Sequence, residues 1–426
     1  MNRFGMAISA AWLLLLAICP GVSAMDTLTR TFDSAFRTLR VEVEGDFMAT
    51  PVIDLDGDRR ITVSFDEIGD DFSELRYRLV HCNADWQPSQ LVESEYVEGF
   101  NEADVDDYAF SSNTFVHFVN YRITVPSEDM RPLVSGNYLL QVFDRYDPER
   151  VLLQARFSVS ENVVSLSGEV SGRTDRGLNT EWQQLELALS PGDFMISNPY
   201  TDLNVTVTQN SLPESTRTLP PPSRLEGQRM IWQHLPALVF GGGNEFRRFE
   251  TVRLAGPGMH VDSMRFGGTN YHAYLMTDAD RSEREYVYDS TQRGRYLVRD
   301  YVATDADLGA DYVTVHFTLD FPQITNGDIY IDGDLTNHLR EEPYRMIYDH
   351  SRHLYTLDLP LKQGSYNYRY VAVPRVSGGS VQTADPGVVE GNFFETVNEY
   401  DVRAYYRPPG ARYDRLIGTA LLTTAR

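Results

Sequence analysis

Apolar and polar positions alternate with a period of two through much of this chain. In Arg60-Ile61-Thr62-Val63-Ser64-Phe65, Leu75-Arg76-Tyr77-Arg78-Leu79-Val80 and Tyr121-Arg122-Ile123-Thr124-Val125, the β-branched, aliphatic and aromatic residues share one parity. A strand turns successive side chains to opposite faces, so each pattern predicts a strand with one buried face. Asp56-Gly57, Ser135-Gly136-Asn137 and Asp147-Pro148 carry the residues that reversals favour and punctuate these runs. Residues 136–143 and 151–159 read as the closing hairpin of a first unit that ends near residue 160. A second block predicts strands at 163–170, 181–189, 203–209 and 246–254, interrupted by Pro220-Pro221-Pro222 and Gly241-Gly242-Gly243, which break regular structure. The polar stretch Thr304 to Ala310 reads as a linker to a third block, with strands at 312–319, 328–333 and 365–373. No long amphipathic helical period appears.

Short strands with frequent turns predict an all-β protein of three consecutive immunoglobulin-like or early-set-like β-sandwich domains. The expected divisions are 25–160, a middle β-rich domain at 161–305 and a C-terminal sandwich at 306–426. In its order of strands the last block resembles the early-set modules that accompany glycan-active proteins. Residues 1–24 read as a cleavable signal peptide: Arg3 is basic, Ala7 to Ile18 is apolar and Val22-Ser23-Ala24 offers a cleavage site. Ile18 before Cys19 does not suit a lipoprotein. After Ala24 no apolar run reaches about 18 residues, so no direct membrane insertion is expected. Prolines and acidic loops also interrupt the alternation that an outer-membrane barrel requires. The expected location is the periplasm.

At 426 residues the chain exceeds what one core supports, and 42% hydrophobic with 23% charged residues fits a folded protein. Charge changes the picture more. The 38 basic and 61 acidic residues give a net charge of −23, and Lys362 is the only lysine. Phosphate backbones and anionic headgroups need clustered Lys or Arg, so nucleic acid is excluded as a partner. Loss of residues 1–24 leaves Cys82 as the only cysteine, so no intramolecular disulfide can form and ordinary cores must hold the fold.

Candidate chemistry is sparse. Asp54-Leu55-Asp56-Gly57-Asp58 suggests a calcium loop, but Arg59 and Phe65 stand where an EF-hand needs Gly and Glu, so an acidic turn is expected. A calcium-dependent hydrolase would rest on this segment alone. His81 and Cys82 are neighbours on a predicted strand and point to opposite faces, which forbids a hydrogen-bonded dyad and makes Cys82 a core residue. His350 and His353 fall in a predicted turn with no third zinc ligand. Neither a serine elbow nor a phosphate loop is present, and in so acidic a chain carboxylate pairs such as Asp70-Asp71 single out nothing. We expect no enzyme, no cofactor and no metal. Tyr366, Tyr368 and Tyr370 share one face of a strand, either in a core or as an aromatic platform for sugars. The platform is the basis of an alternative reading, a periplasmic or surface glycan-binding protein.

Whole phrases carry more information than these spacings. Ser64-Phe65-Asp66-Glu67-Ile68-Gly69, Tyr77 to Ser89 (YRLVHCNADWQPS), Ser94 to Phe100, Tyr121 to Pro126 and Ser135 to Leu140 resemble the N-terminal domain of the type IX secretion system plug proteins of Bacteroidetes. Gly243 to Glu250 (GNEFRRFE), Gln363 to Tyr368 and Arg412 to Gly418 (RYDRLIG) are similar to later parts of the same family, so the resemblance covers essentially the mature chain. It implies a non-enzymatic periplasmic protein, a monomer when unbound. Its partner would be a large outer-membrane β-barrel translocon, whose periplasmic mouth it seals. Candidate contact residues are Trp86, Tyr96, Phe100 and Tyr108 in an acidic, aromatic loop, and Asn244, Glu245, Arg247 and Arg248 in the later phrase. For both segments the competing explanation is local packing. The export signal places the acidic surface outside the cytoplasm, and with a nearly lysine-free basic set it suggests a salt-rich habitat.

Overall fold

A computed structural model describes residues 26–375 and 384–424, so the expected signal peptide lies outside the described residues. Alternation becomes strands where it is strongest. Ile61–Ile68, Leu75–Cys82, Phe118–Val125, Gly136–Asp144 and Asp147–Ser160 all form. One sheet of the first sandwich pairs Asp147–Ser160 with Gly136–Asp144 and then Leu75–Cys82; the other runs Phe36–Val43, Ile61–Ile68, Phe118–Val125, Tyr108–Phe110. Ile61, Val63, Phe65, Leu79, Tyr121, Tyr138 and Leu140 fill the space between them and are wholly buried. Each such side chain stabilises by about 1.5–3 kcal/mol over exposure. The closing hairpin turns at Arg145 and Tyr146, and Asp147-Pro148 instead begin the return strand, where Pro148 removes no central ladder bond.

The second sandwich is discontinuous in sequence. Its first sheet takes Ser165–Ser171, Trp182–Ser190, Arg229–Trp232 and Val239–Gly241; its second pairs Leu203–Gln209 with Glu399–Tyr406 and Arg415–Thr423. Leu185, Leu187, Val205, Val207, Trp232 and Phe240 therefore share a core with Tyr400, Val402, Ala404 and Ile417. Between these halves the chain builds a third sandwich, with Arg247–Glu250, Gly364–Pro374, Tyr296–Val298 and Gly327–Asp332 facing Val261–Phe266, Tyr271–Leu275, Tyr312–Asp320 and Leu354–Lys362.

The cores thus group the chain differently from the expected 161–305 and 306–426. The strand expected at 246–254 opens the third sandwich, and the last two strands return to the second. Thr304 to Ala310 is not a free linker: it holds the short helix Ala306–Gly309, capped by Asp305, whose Oδ1 accepts from Asp307 N at 2.9 Å. The tyrosine row is also settled. Tyr366, Tyr368 and Tyr370 lie inside the third core, Tyr366 stacked on Phe249 and Tyr296 at 5.0 Å each, and no aromatic platform is presented.

Candidate functional site

Three seams join the sandwiches, and each is held by charges the sequence presents as ordinary surface residues. Between the first and third, Lys362 Nζ donates to Asp66 Oδ2 at 2.7 Å and to the Asp307 carbonyl at 2.6 Å, and lies 3.9 Å from the Phe118 ring centre. Asp66 also accepts from Tyr312 Oη and Asn120 Nδ2, each at 2.8 Å. Burial pushes the Lys362 amine below its ordinary pKa, and Asp66 counteracts this. Around this centre Asp307 binds Arg40 (2.6 Å) and Arg122 (3.0 Å), and Asp311 accepts from the Phe115 and Val116 amides.

The first and second sandwiches meet through Asn83 and Ala84 on one side and 405–415 on the other. Ala84 N donates to Asp414 Oδ2 at 2.9 Å, Arg412 binds Glu95, and Tyr413 packs edge-on against His81 at 5.3 Å. Arg415 forms a fork with Glu161, and Asn137 Oδ1 accepts from Ser158 Oγ (2.8 Å) and Tyr405 Oη (3.0 Å).

Where the chain crosses from the second sandwich to the third, Gly241 to Gly243 pass the returning segment 391–398. A Cβ on Gly242 would sit 2.1 Å from the Phe393 carbonyl oxygen, so only glycine fits that approach. Asn398 Nδ2 donates to the Gly242 carbonyl at 2.7 Å, and Phe393 N and Thr396 Oγ1 donate to that of Gly243, each at 2.9 Å. Immediately after, Arg247 pairs with Asp278 (2.9 Å) and Glu390 (3.0 Å), and Asp278 takes hydroxyl hydrogens from Tyr368 and Tyr370. Burial opposes the Asp278 charge, but His260 and Arg247 outweigh it and hold its pKa at about 2. Arg295 Nη1 to Glu399 Oε2 at 2.9 Å ties the same two sandwiches further along.

A family model described as the Type 9 secretion system plug protein 1st domain matches residues 36–161. A crystal structure of a hypothetical protein from Parabacteroides merdae is 38% identical, with a TM-score of 0.91 over 94% of this chain and 100% of that one. The chain belongs to the type IX secretion system plug family. Dimeric latent PorU from Porphyromonas gingivalis aligns over 91% of this chain and 34% of that one at 10% identity, with a TM-score of 0.13, too slight to bear on fold or partner. No curated protein matches.

In this plug-family chain the phrases that carried the resemblance lie at the seams. Ser64 to Gly69 contains Asp66; Tyr77 to Ser89 faces Arg412 to Gly418; Gly243 to Glu250 begins the crossing to the third sandwich. That location corrects part of the expected contact set. Tyr96, Asn244, Glu245 and Arg247 are buried. Tyr96 Oη donates to the Leu79 carbonyl, Asn244 Nδ2 to that of Glu390, and Glu245 Oε1 accepts from Tyr286 Oη and Val397 N. Residues so satisfied internally do not face a partner. Trp86 is half-buried under the Arg156 guanidinium, 4.3 Å from ring centre to carbon, and Arg248 pairs with Asp289 at 2.7 Å. Phe100 is 86% exposed, and exposed Tyr108 stacks on exposed Phe72 at 4.9 Å with Phe110 beside it. Sequence reasoning missed Lys362, Asp66 and Asp307, because a charged residue has no local mark of burial.

The chemistry candidates resolve into structure. Cys82 is buried, and burial pushes its thiol up to about 12. His81 Nδ1 bonds Ser89 Oγ (2.8 Å) and Nε2 the Ser135 carbonyl (3.1 Å), while burial lowers its pKa to about 4, leaving it neutral. Asp54 accepts from Asn162, and His353 lies in a turn. No group of three or more His, Cys, Asp or Glu positioned for a metal occurs among the described residues, and no helix there is long and apolar enough to cross a membrane.

Proposed function

We propose that this protein seats against the periplasmic mouth of the outer-membrane β-barrel translocon of the type IX secretion system and closes its pore, catalysing no reaction. The observation that carries this reading is membership of the plug family in a chain whose sandwiches are joined by buried ion pairs. A plug must resist deformation and must not thread, and a body whose sandwiches are tied together by ion pairs and hydrogen bonds at every seam meets both demands. The exported, unbound protein is a periplasmic monomer. It meets the barrel through exposed aromatic positions, Phe100 and Tyr108 with Phe72 and Phe110, where apolar faces sit among acidic residues.

Isolating the translocon from native membranes in mild detergent tests the reading. Recovery of the barrel with this protein in at least one secretion state is expected; its absence in every state overturns it. Deleting the protein is expected to make the outer membrane leaky to small solutes while secretion continues. Phe100→Asp, at a position 86% exposed, is expected to weaken co-purification with an unchanged melting temperature.

A further inference from the structure

A cavity of about 200 Å³ opens where all three sandwiches converge, and its wall is rich in charge. Most of that charge is matched. Arg40 answers Asp307, Arg295 answers Glu399, and Arg403 Nε donates to Asp401 Oδ2 at 2.7 Å. The acids Glu42 and Asp334 face Arg40 and His338. Arg156 is the exception. Its Nε donates to the Thr27 carbonyl at 2.5 Å, its Nη2 to Thr27 Oγ1 at 2.8 Å, and its plane lies over Trp86; none of these partners is a carboxylate, and Asp26 acts on it only electrostatically, without a bond.

A second cation stands beside it. Arg403 Nη1 donates at 2.7 Å to the hydroxyl of Ser158, two residues along the strand from Arg156 and on the same face. Burial, and next the neighbouring Arg403, lower the Arg156 pKa to about 10. Cross-strand pairing places Thr206 opposite Arg403 and Thr208 opposite Asp401, and both threonines line the cavity. A half-buried guanidinium facing a like charge is costly unless an anion completes it.

We propose that this cavity binds a small divalent oxyanion, held by the Arg156 and Arg403 guanidinium groups together. Guanidinium groups match carboxylate and tetrahedral oxyanions, and with the two Nε hydrogens already given to Thr27 and Asp401 it is the outer Nη hydrogens that serve the anion, beside Thr206 and Thr208 in the wall. The volume falls below the roughly 300–1,000 Å³ of sites for drug-sized ligands, which selects a compact anion. Because Arg156 belongs to the first sandwich and Arg403 to the second, a bound anion bridges their seam.

Calorimetric titration of the full chain with sodium malonate, and separately sodium sulfate, at ionic strength held constant with sodium chloride, tests this. Saturable one-to-one heat at millimolar anion is expected from at least one probe. Malonate alone would mark a dicarboxylate site, sulfate alone a tetrahedral one, and both a site that reads charge. Arg156→Gln is expected to abolish the heat, and Arg156→Lys, which keeps charge but loses the fork, to weaken binding about tenfold or more. Near-UV circular dichroism checks that each variant is folded, and the lysine variant decides the matter if the glutamine variant is not. No saturable heat from either probe, or undiminished binding by a folded Arg156 variant, overturns the proposal.

Discussion

Lys362 holds the only ε-amino group in the chain, and it is 1% exposed, packed between Asp66, the Asp307 carbonyl and the Phe118 ring. Removing one partner of a buried pair leaves the other charge uncompensated, at a cost of about 3–5 kcal/mol. Lys362→Met is therefore expected to lower stability to urea by about that amount. Acylation offers an independent measure: Lys362 should react with an amine reagent only as fast as the first and third sandwiches part, and at once in denaturant. His81 makes a pH prediction. Its folded pKa lies near 4, below the unfolded value of 6.5, so the folded state binds fewer protons between them. The stability it confers is present above 6.5 and is lost as pH falls through 4. His81→Asn is expected to flatten the decline of unfolding free energy over that window.

At the scale of elements, the crossing at Gly242 is the position least able to change. Gly242→Ala places a methyl group against the Phe393 carbonyl and forces two backbone segments apart. A loss of roughly 1–3 kcal/mol is expected in thermal or urea unfolding, as for an overpacked contact. The strands themselves were legible because a sheet with one buried face writes its period into the sequence; Leu75–Cys82 and Ile61–Ile68 are clear cases. Their partners were not. Leu203–Gln209 pairs with Glu399–Tyr406 across the whole third sandwich, and no local pattern records so distant a pairing. The glycine run lies at the crossing, but in the sequence it reads only as a break in regular structure, and the linker is expected at Thr304 to Ala310. Among the contact candidates, Phe100 and Tyr108 were legible as surface, whereas Glu245 and Arg247 resembled surface charges and proved to be packed inside.

For the whole molecule the net charge of −23 sets the response to salt. Ion pairs at the buried seams are screened little, whereas repulsion among exposed carboxylates falls as the screening length drops to about 3 Å at 1 M. The melting temperature is therefore expected to rise between low and molar sodium chloride, as calorimetry would show. A flat or falling trend would contradict a surface adapted to salt.

The discontinuity of the second sandwich also dictates an order of assembly. A chain emerging from its N-terminus can close the first sandwich as soon as residue 160 is out, and the third once Gly364–Pro374 has followed. The second must wait. Until 399–423 arrive, Leu203–Gln209 has only the two-residue strand Arg217–Thr218 beside it, and its other edge is open. The segment 399–423 thus closes the middle sandwich, and the three-sandwich body reaches its final shape only after the whole of the third sandwich has been delivered.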